Sequence, residues 1–444
     1  MRKIRKAVII GLAAGMSLSF APVHLFGWGD TWMGSALELA VNAAHSRLGP
    51  LMYDAAFLID HAGHATDIYY GSTPNAVPDF TFTTGPSLHL LLPVEKKVVF
   101  DFYELPQYVF FLDTKGQRTL NNTFAGLVHF VLDKFYFQAG GGLIDVKERL
   151  STELNINVRR KEDALNGLAL WQISKGASLA LQFRRTTFNY ENFTPEFTPE
   201  VGNIGQQLDR TETYINVKTY LEQHARLRFY LDGEYGSYEF TDPASSFKNS
   251  RSYSIFGGVD FLPPAGGYEG QTSGVRGSIN LGYKSMDFLN PLQRGYSGLA
   301  GNTAVSWGII KLTAIHAFFS REPQFSVYSG VAYYLRTTYG AGLSRSITKK
   351  ILFTYDFFYA RNDYPSTAAS GGSLLQNEVD RYTTHSFRLN FGLMKDLEFS
   401  LLADLGRRNS KIALRPVSRN DFIGFSLIYG YPSGVLSLPA RPLS

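Results

Sequence analysis

The 444-residue chain contains no cysteine. Disulfides, thiol catalysis, thiolate metal sites and a lipid anchor on an N-terminal cysteine are therefore excluded. Beyond the N-terminus there is no apolar run long enough for a membrane-crossing helix. Low-complexity tracts and linkers are also missing, which points to one domain rather than two or three. The 43 Lys and Arg residues exceed the 38 Asp and Glu by only five and are scattered rather than clustered, so nucleic acid is not an expected partner.

What the chain has instead is glycine (42), phenylalanine (34) and tyrosine (26), arranged in long alternating stretches. Between Ser344 and Arg407 the pattern is clearest. Ile351, Phe353, Tyr355, Phe357 and Tyr359 alternate with Lys350, Thr354 and Asp356, although Leu352 and Phe358 blur the period. After a polar loop, Phe387, Leu389, Phe391 and Leu393 alternate with Ser386, Arg388, Asn390 and Gly392. A tight turn at Lys395-Asp396 then starts Leu397, Phe399, Leu401, Ala403 and Leu405 against Glu398, Ser400, Asp404 and Gly406. Side chains alternate faces along a strand, so each segment has one greasy and one wet face. Soluble strands average about 5–6 residues, whereas strands that cross an outer membrane at a tilt need about 9–11. The fold expected is all-β: a single transmembrane antiparallel β-barrel of about eighteen strands in a Gram-negative outer membrane.

The start of the chain reads as an export signal. Residues 1–6 are charged, Ala7 to Phe20 is apolar, and cleavage is expected somewhere up to Gly27, leaving residues 28–444 as the barrel. The first strand is expected at Ser35 to Asn42, followed by a long loop to Pro78 that contains His61 and His64. The next are expected at Phe80 to Leu91 and Val98 to Phe111. The remaining fifteen fall near 118–131, 135–148, 158–173, 177–190, 208–221, 225–240, 250–262, 275–286, 295–307, 310–321, 325–343, 349–361, 381–393, 397–407 and 420–431. Joins such as Glu95-Lys96-Lys97, Leu132-Asp133-Lys134 and Ser174-Lys175-Gly176 are short, and the alternate joins are longer and more polar. That asymmetry matches short periplasmic turns and long outer loops, with both termini periplasmic. Pro263 to Gly274 is the one long periplasmic turn.

A charge aimed into lipid costs up to ~2–4 kcal/mol at the midplane, so charges within strands should face the interior. Lys218, Arg226, Arg228, Tyr230, Asp232, Glu234, Arg276, Asn280, Lys284, Asp356, Arg388, Asn390, Glu398 and Asp404 are the lumen-facing candidates. Both signs are present, as expected for a hydrated conduit whose walls replace part of a solute's hydration shell; the alternative is a wall of mutually paired charges that fills the barrel. Tyr214, Tyr220 and Tyr230 are candidates for sugar stacking or for plain packing. Neither enzyme activity nor a cofactor is expected. His61-Ala62-Gly63-His64 lacks a helix to hold two ligands on one face, His385 and Ser386 point to opposite faces, and Asp232 and Glu234 sit among arginines as wall charges.

The second half of the chain resembles the family described as putative β-barrel porin 2, which includes outer-membrane barrels found with exopolysaccharide synthesis and export systems. The resemblance rests on Ser273 to Tyr283, on Gly298 to Trp307, on Arg381, on the turn before Leu397 and on Arg407-Arg408-Asn409-Ser410. It implies transport of a secreted polysaccharide across the outer membrane, with a periplasmic export protein docking below, and assigns no individual residue. A general or small-solute porin is the alternative within the class, and a surface adhesion or structural barrel the alternative outside it. The other partners expected are outer-membrane lipid, lipopolysaccharide and the barrel-assembly machinery. The chain departs from the family in its first strand and in a tail from Pro432 to Ser444, so Tyr429 or Tyr431 becomes the expected insertion signal.

Overall fold

The computed structural model describes residues 32–68, 76–95, 97–149, 153, 157–192, 203–224, 227–261, 274–310, 312–328, 330–365, 379–410 and 418–432. The predicted signal peptide, the turn Pro263 to Ser273 and the tail after Pro432 lie outside these residues, as does Arg226. A helix, α1 (Trp32–Ala43), leads into a short strand β1 (Ser46–Leu48) that pairs with the start of β2 (Leu51–Ala65). Seventeen further strands follow: β3 (Asp79–Val94), β4 (Val98–Phe111), β5 (Thr119–Leu132), β6 (Phe135–Glu148), β7 (Val158–Ser174), β8 (Ala177–Tyr190), β9 (Arg210–His224), β10 (Leu227–Phe240), β11 (Ser250–Phe261), β12 (Gly274–Phe288), β13 (Tyr296–Ile310), β14 (Thr313–Phe325), β15 (Tyr333–Ser346), β16 (Ile351–Asp363), β17 (Val379–Gly392), β18 (Leu397–Ser410) and β19 (Ser418–Gly430). Each pairs antiparallel with the next, and β19 returns to pair with β2. The result is a closed eighteen-stranded barrel.

Alternation decides which face is which. On β10, Phe229 and Leu231 are exposed while Arg228, Tyr230 and Asp232 are buried, and the same split repeats around the sheet. Exposed aromatics mark both edges of the outer band. Phe135, Trp171, Phe229 and Trp307 lie near the short turns, and Tyr253 and Tyr283 lie toward the long loops, the two girdles expected at membrane interfaces.

Three sequence expectations change. Ser35 to Asn42 is not a strand but the body of α1. Met33, Ala36, Leu37 and Val41 recur at helical spacing, and Ala, Leu and Glu are strong helix formers. The first barrel strand is β2, where a loop with a solvated His pair was expected. Its period is broken by a bulge: register shifts between Asp60 and Gly63, and His61 takes a positive φ of 48°. One strand lost and one gained leave the total at eighteen. Finally, the expected strand 325–343 is interrupted, because the chain leaves β14 at Phe325 and runs through Ser326 to Ala332 before β15 begins.

The closing seam depends on close backbone approach. Gly63 and Gly424 face each other across β2 and β19, and a Cβ on Gly63 would stand 2.2 Å from the Ile423 carbonyl oxygen and 2.5 Å from the Gly424 Cα. Any side chain there pushes the two strands apart. Gly63→Val is expected to destabilise the barrel by about 1–3 kcal/mol, as overpacking does, and to lower the temperature at which the protein loses its folded electrophoretic mobility in detergent, while Ala403→Val on the outward face of β18 leaves it unchanged.

Candidate functional site

The interior is obstructed at both ends. Near the short turns, α1 lies against the inner wall: Leu37 and Val41 pack with Leu91, Val99, Val131, Tyr136, Leu170, Tyr220 and Tyr230. Those residues come from β3 to β7, β9 and β10, so the helix sits on that side of the ring. Full burial of a Leu or Val is worth about 1.5–3 kcal/mol, enough for these two residues to hold a short helix in place. Beneath it His89 and His129 share the buried Asp101 carboxylate, at 2.7 and 3.4 Å, and His129 also meets Tyr136 Oη at 2.6 Å.

Near the long loops, the segment Ser326 to Ala332 reaches across the mouth. Val327, Tyr328 and Val331 pack with Val158 of β7, with Phe188 and Tyr190 of β8, and with Ile204 and Leu208 of a five-residue helix, α2 (Ile204–Leu208). Because β8 and β15 stand seven strands apart in an eighteen-strand ring, this cluster bridges the barrel. Two buried charges fasten it. The Glu153 carboxylate accepts from Ser326 Oγ (2.8 Å) and from the Val327 amide (2.9 Å). Lys248 Nζ lies within hydrogen-bond distance of the Gln207 carbonyl (3.0 Å), Gln207 Oε1 (2.8 Å) and the Ser326 carbonyl (2.8 Å), three acceptors on two other loops. Burial pushes the Lys248 ammonium from 10.5 down to about 7, with Glu153 opposing the shift and Arg210 adding to it.

The sequence-predicted wall residues fall into two groups. Beside α1 and above it, the interior is packed. Arg228 is 2% exposed and donates from Nε and Nη2 to Asp260 Oδ2 at 3.0 and 2.7 Å. Tyr230 meets Tyr220 edge-on at 6.1 Å, and Lys218 Nζ stands 3.7 Å from the Tyr230 ring centroid and 4.0 Å from Asp232. Asp232 also accepts from Asn216, Glu234 is 3.9 Å from Lys284, and the Arg184 guanidinium lies 4.4 Å over the Tyr214 ring. Arg276 and Asn280 take inner positions on β12, opposite Ser306 and Asn302. The buried Tyr220 and Tyr230 are packing groups rather than an accessible stacking surface.

The wall from β16 through β19 to β2 is not covered by α1, and here the charges meet water. Arg388 is exposed, Asp356, Glu398 and Asp404 are half-buried, and Asn390 is buried. Gly342 makes room for Asp356, whose Oδ1 lies where a Cβ would stand. To these the structure adds a pair that the expected loop had hidden. Asp60 and His61 side chains are 43% and 46% exposed and 2.9 Å apart, held at the bulge by Ser426 Oγ, which donates to Asp60 Oδ1 and accepts from the His61 amide. A bulge re-aims a side chain that alternation would send outward, and the His61 ring packs 5.5 Å from Phe422 on the inner face of β19. Asp380 and Arg408 pair with each other at 3.2 Å. With Asp60 paired to His61, this leaves three carboxylates, Asp356, Glu398 and Asp404, against the guanidinium of Arg388.

A closed, aromatic-girdled barrel with a polar interior defines an outer-membrane channel protein of porin architecture, located in the outer membrane of a Gram-negative bacterium. The chain belongs to the family described as Putative beta-barrel porin 2, which matches residues 176–423, more than half of its length. Among solved structures the fold is similar to OpdO of Pseudomonas aeruginosa, with 13% identity and a TM-score of 0.46 over 85% of this chain and 96% of that one. It is also similar to OccK5 (OpdH) of the same organism, with 10% identity and a TM-score of 0.47 over 87% and 99%, and to the siderophore receptor PirA, with 9% identity and a TM-score of 0.42 over 87% and 81%. No curated protein matches the sequence.

The Lys248 fastening carries a pH dependence whose sign follows from its lowered pKa. The closed mouth favours the neutral amine, so closure strengthens as pH rises from about 7 toward 10.5, by up to about 1.4 kcal/mol per unit. Below about 7 both states are protonated and the effect is flat. Single-channel conductance is expected to fall as pH is raised through that window, and Lys248→Met is expected to remove the fall.

Proposed function

We propose that the protein is a passive, non-enzymatic channel for small hydrophilic solutes, with a preference for cations. The observation that carries this reading is the Ser326 to Ala332 crossing of the outer mouth, fastened by Glu153 and Lys248. With α1 along one wall at the other end, the route that remains runs beside β16 to β19 and β2. Its excess of two carboxylates attracts positive charge, and groups on low-dielectric walls focus the field along the passage. Obstruction at both ends favours small solutes over a secreted polysaccharide and the periplasmic export protein that would accompany it. Tyr429, exposed on the outward face of β19, is our candidate for the residue read by the insertion machinery.

In bilayers with a potassium chloride gradient, the purified protein is expected to give a cation-selective reversal potential, and Asp404→Asn combined with Glu398→Gln to move it toward zero. In liposome swelling, amino acids and monosaccharides are expected to enter while long dextrans stay out, and removal of residues 327–331 is expected to raise conductance. Anion selectivity, or steady conductance blocked by a long polysaccharide that the loop deletion leaves unaltered, would overturn the reading in favour of a polymer conduit.

A further inference from the structure

We propose that the outward face of β5 to β8 carries a binding site for outer-leaflet lipopolysaccharide, seating an acyl chain in a groove and a phosphate on Arg185. A groove of about 580 Å³ opens there on the lipid-facing side. Its floor is made by Gly126 and Gly141, which sit opposite each other on β5 and β6, and its walls by Phe102, Phe124, Leu143 and Leu165. Large apolar side chains flank the trough, so its glycine floor gives one hydrocarbon chain more contact than the bulk bilayer does.

Charge supplies the second half of the argument. The groove lining includes Arg185 and Asp163, both exposed on outward positions of β8 and β7. Arg185 lies eight residues beyond the start of β8 at Ala177, about 20 Å above the short turn for a strand rising ~3.4 Å per residue at ~40° of tilt. The apolar band of an outer-membrane barrel is about 25 Å tall, so the guanidinium reaches the outer headgroup level, where lipopolysaccharide carries its phosphates. Above it, Lys147, Arg159 and Lys161 occupy the same outward face, with Asp145 held by Arg159 at 2.6 and 2.9 Å. On β6 to β8 and the loop end of β8 this makes four cations against Asp145, Asp163 and Glu191, whose carboxylate accepts from the Arg159 amide at 3.4 Å, an excess of one. Glu104 on the far rim accepts a hydrogen bond from Asn122 at 3.4 Å. Guanidinium groups bind phosphate oxygens through paired N–H donors, and a ligand with both phosphate and several acyl chains satisfies the cations and the trough together.

The test is a titration of the full-length folded protein in detergent micelles with fluorescent rough-type lipopolysaccharide, with heat-modifiable mobility reporting that each variant is folded. Arg185→Glu removes the phosphate contact. Gly126→Leu fills the trough, and it fits the wall because a Cβ there stands 3.4 Å from Phe102. Each is expected to weaken binding about tenfold or more, equivalent to ~1.4 kcal/mol, and Asp163→Asn to tighten it. Enzymatic removal of the lipid phosphates is expected to weaken binding to the native protein and to have little further effect on Arg185→Glu. Unchanged affinity in both Arg185→Glu and Gly126→Leu, or equal competition by phosphatidylglycerol, would overturn the site.

Discussion

Lipid offers no hydrogen bonds, so every backbone N–H and C=O within the membrane must find its partner in the protein. A sheet meets that demand only by closing on itself, and in this chain closure falls to the pairing of β19 with β2. The seam is the least regular part of the ring. It carries register shifts on both sides of β2, a positive φ at His61 and two glycines in close apposition. The irregularity has a use, because the bulge that completes the ring also turns Asp60 and His61 toward the interior.

Closure creates a second problem, a lumen wide enough to flood. The chain answers with its own segments. An amphipathic helix fills part of one end by apolar burial, and a loop closes the other through a mixed cluster whose two charges are satisfied by backbone and amide groups. The two fastenings differ in kind. Burial of Leu37 and Val41 is insensitive to pH, whereas removing one partner of a buried charged group leaves the other side of the contact unsatisfied. The outer mouth is therefore the end that chemistry in the medium can influence, and the covered side of the wall turns its charges into structural pairs such as Arg228 with Asp260.

The uncovered side gives those same residue types a different meaning. Arg388, Asp404 and Glu398 take the same alternating positions on their strands as Arg228 and Asp232 take on β10, yet they meet water because, among the described residues, no segment lies over them. A wall charge is a selectivity element or a packing element according to what sits across the lumen, and that partner comes from a distant part of the chain.

Seventeen of the eighteen barrel strands were legible in the sequence because alternation is a local property: Phe387, Leu389 and Phe391 against Arg388 and Asn390 specify a strand and its two faces without reference to anything else. The short joins and the aromatic content located the barrel in a membrane on the same grounds. β2 escaped because a bulge breaks the period at Asp60 to Gly63, and α1 was mistaken for a strand because an eight-residue apolar run does not distinguish the two periods. The crossing loop could not be read at all, since Val327, Tyr328 and Val331 look like strand residues until Val158 and Phe188 are brought to them from the far side of the ring. Local periodicity fixed the wall and its inward face; contacts between residues more than a hundred positions apart decided how much of the lumen stays open.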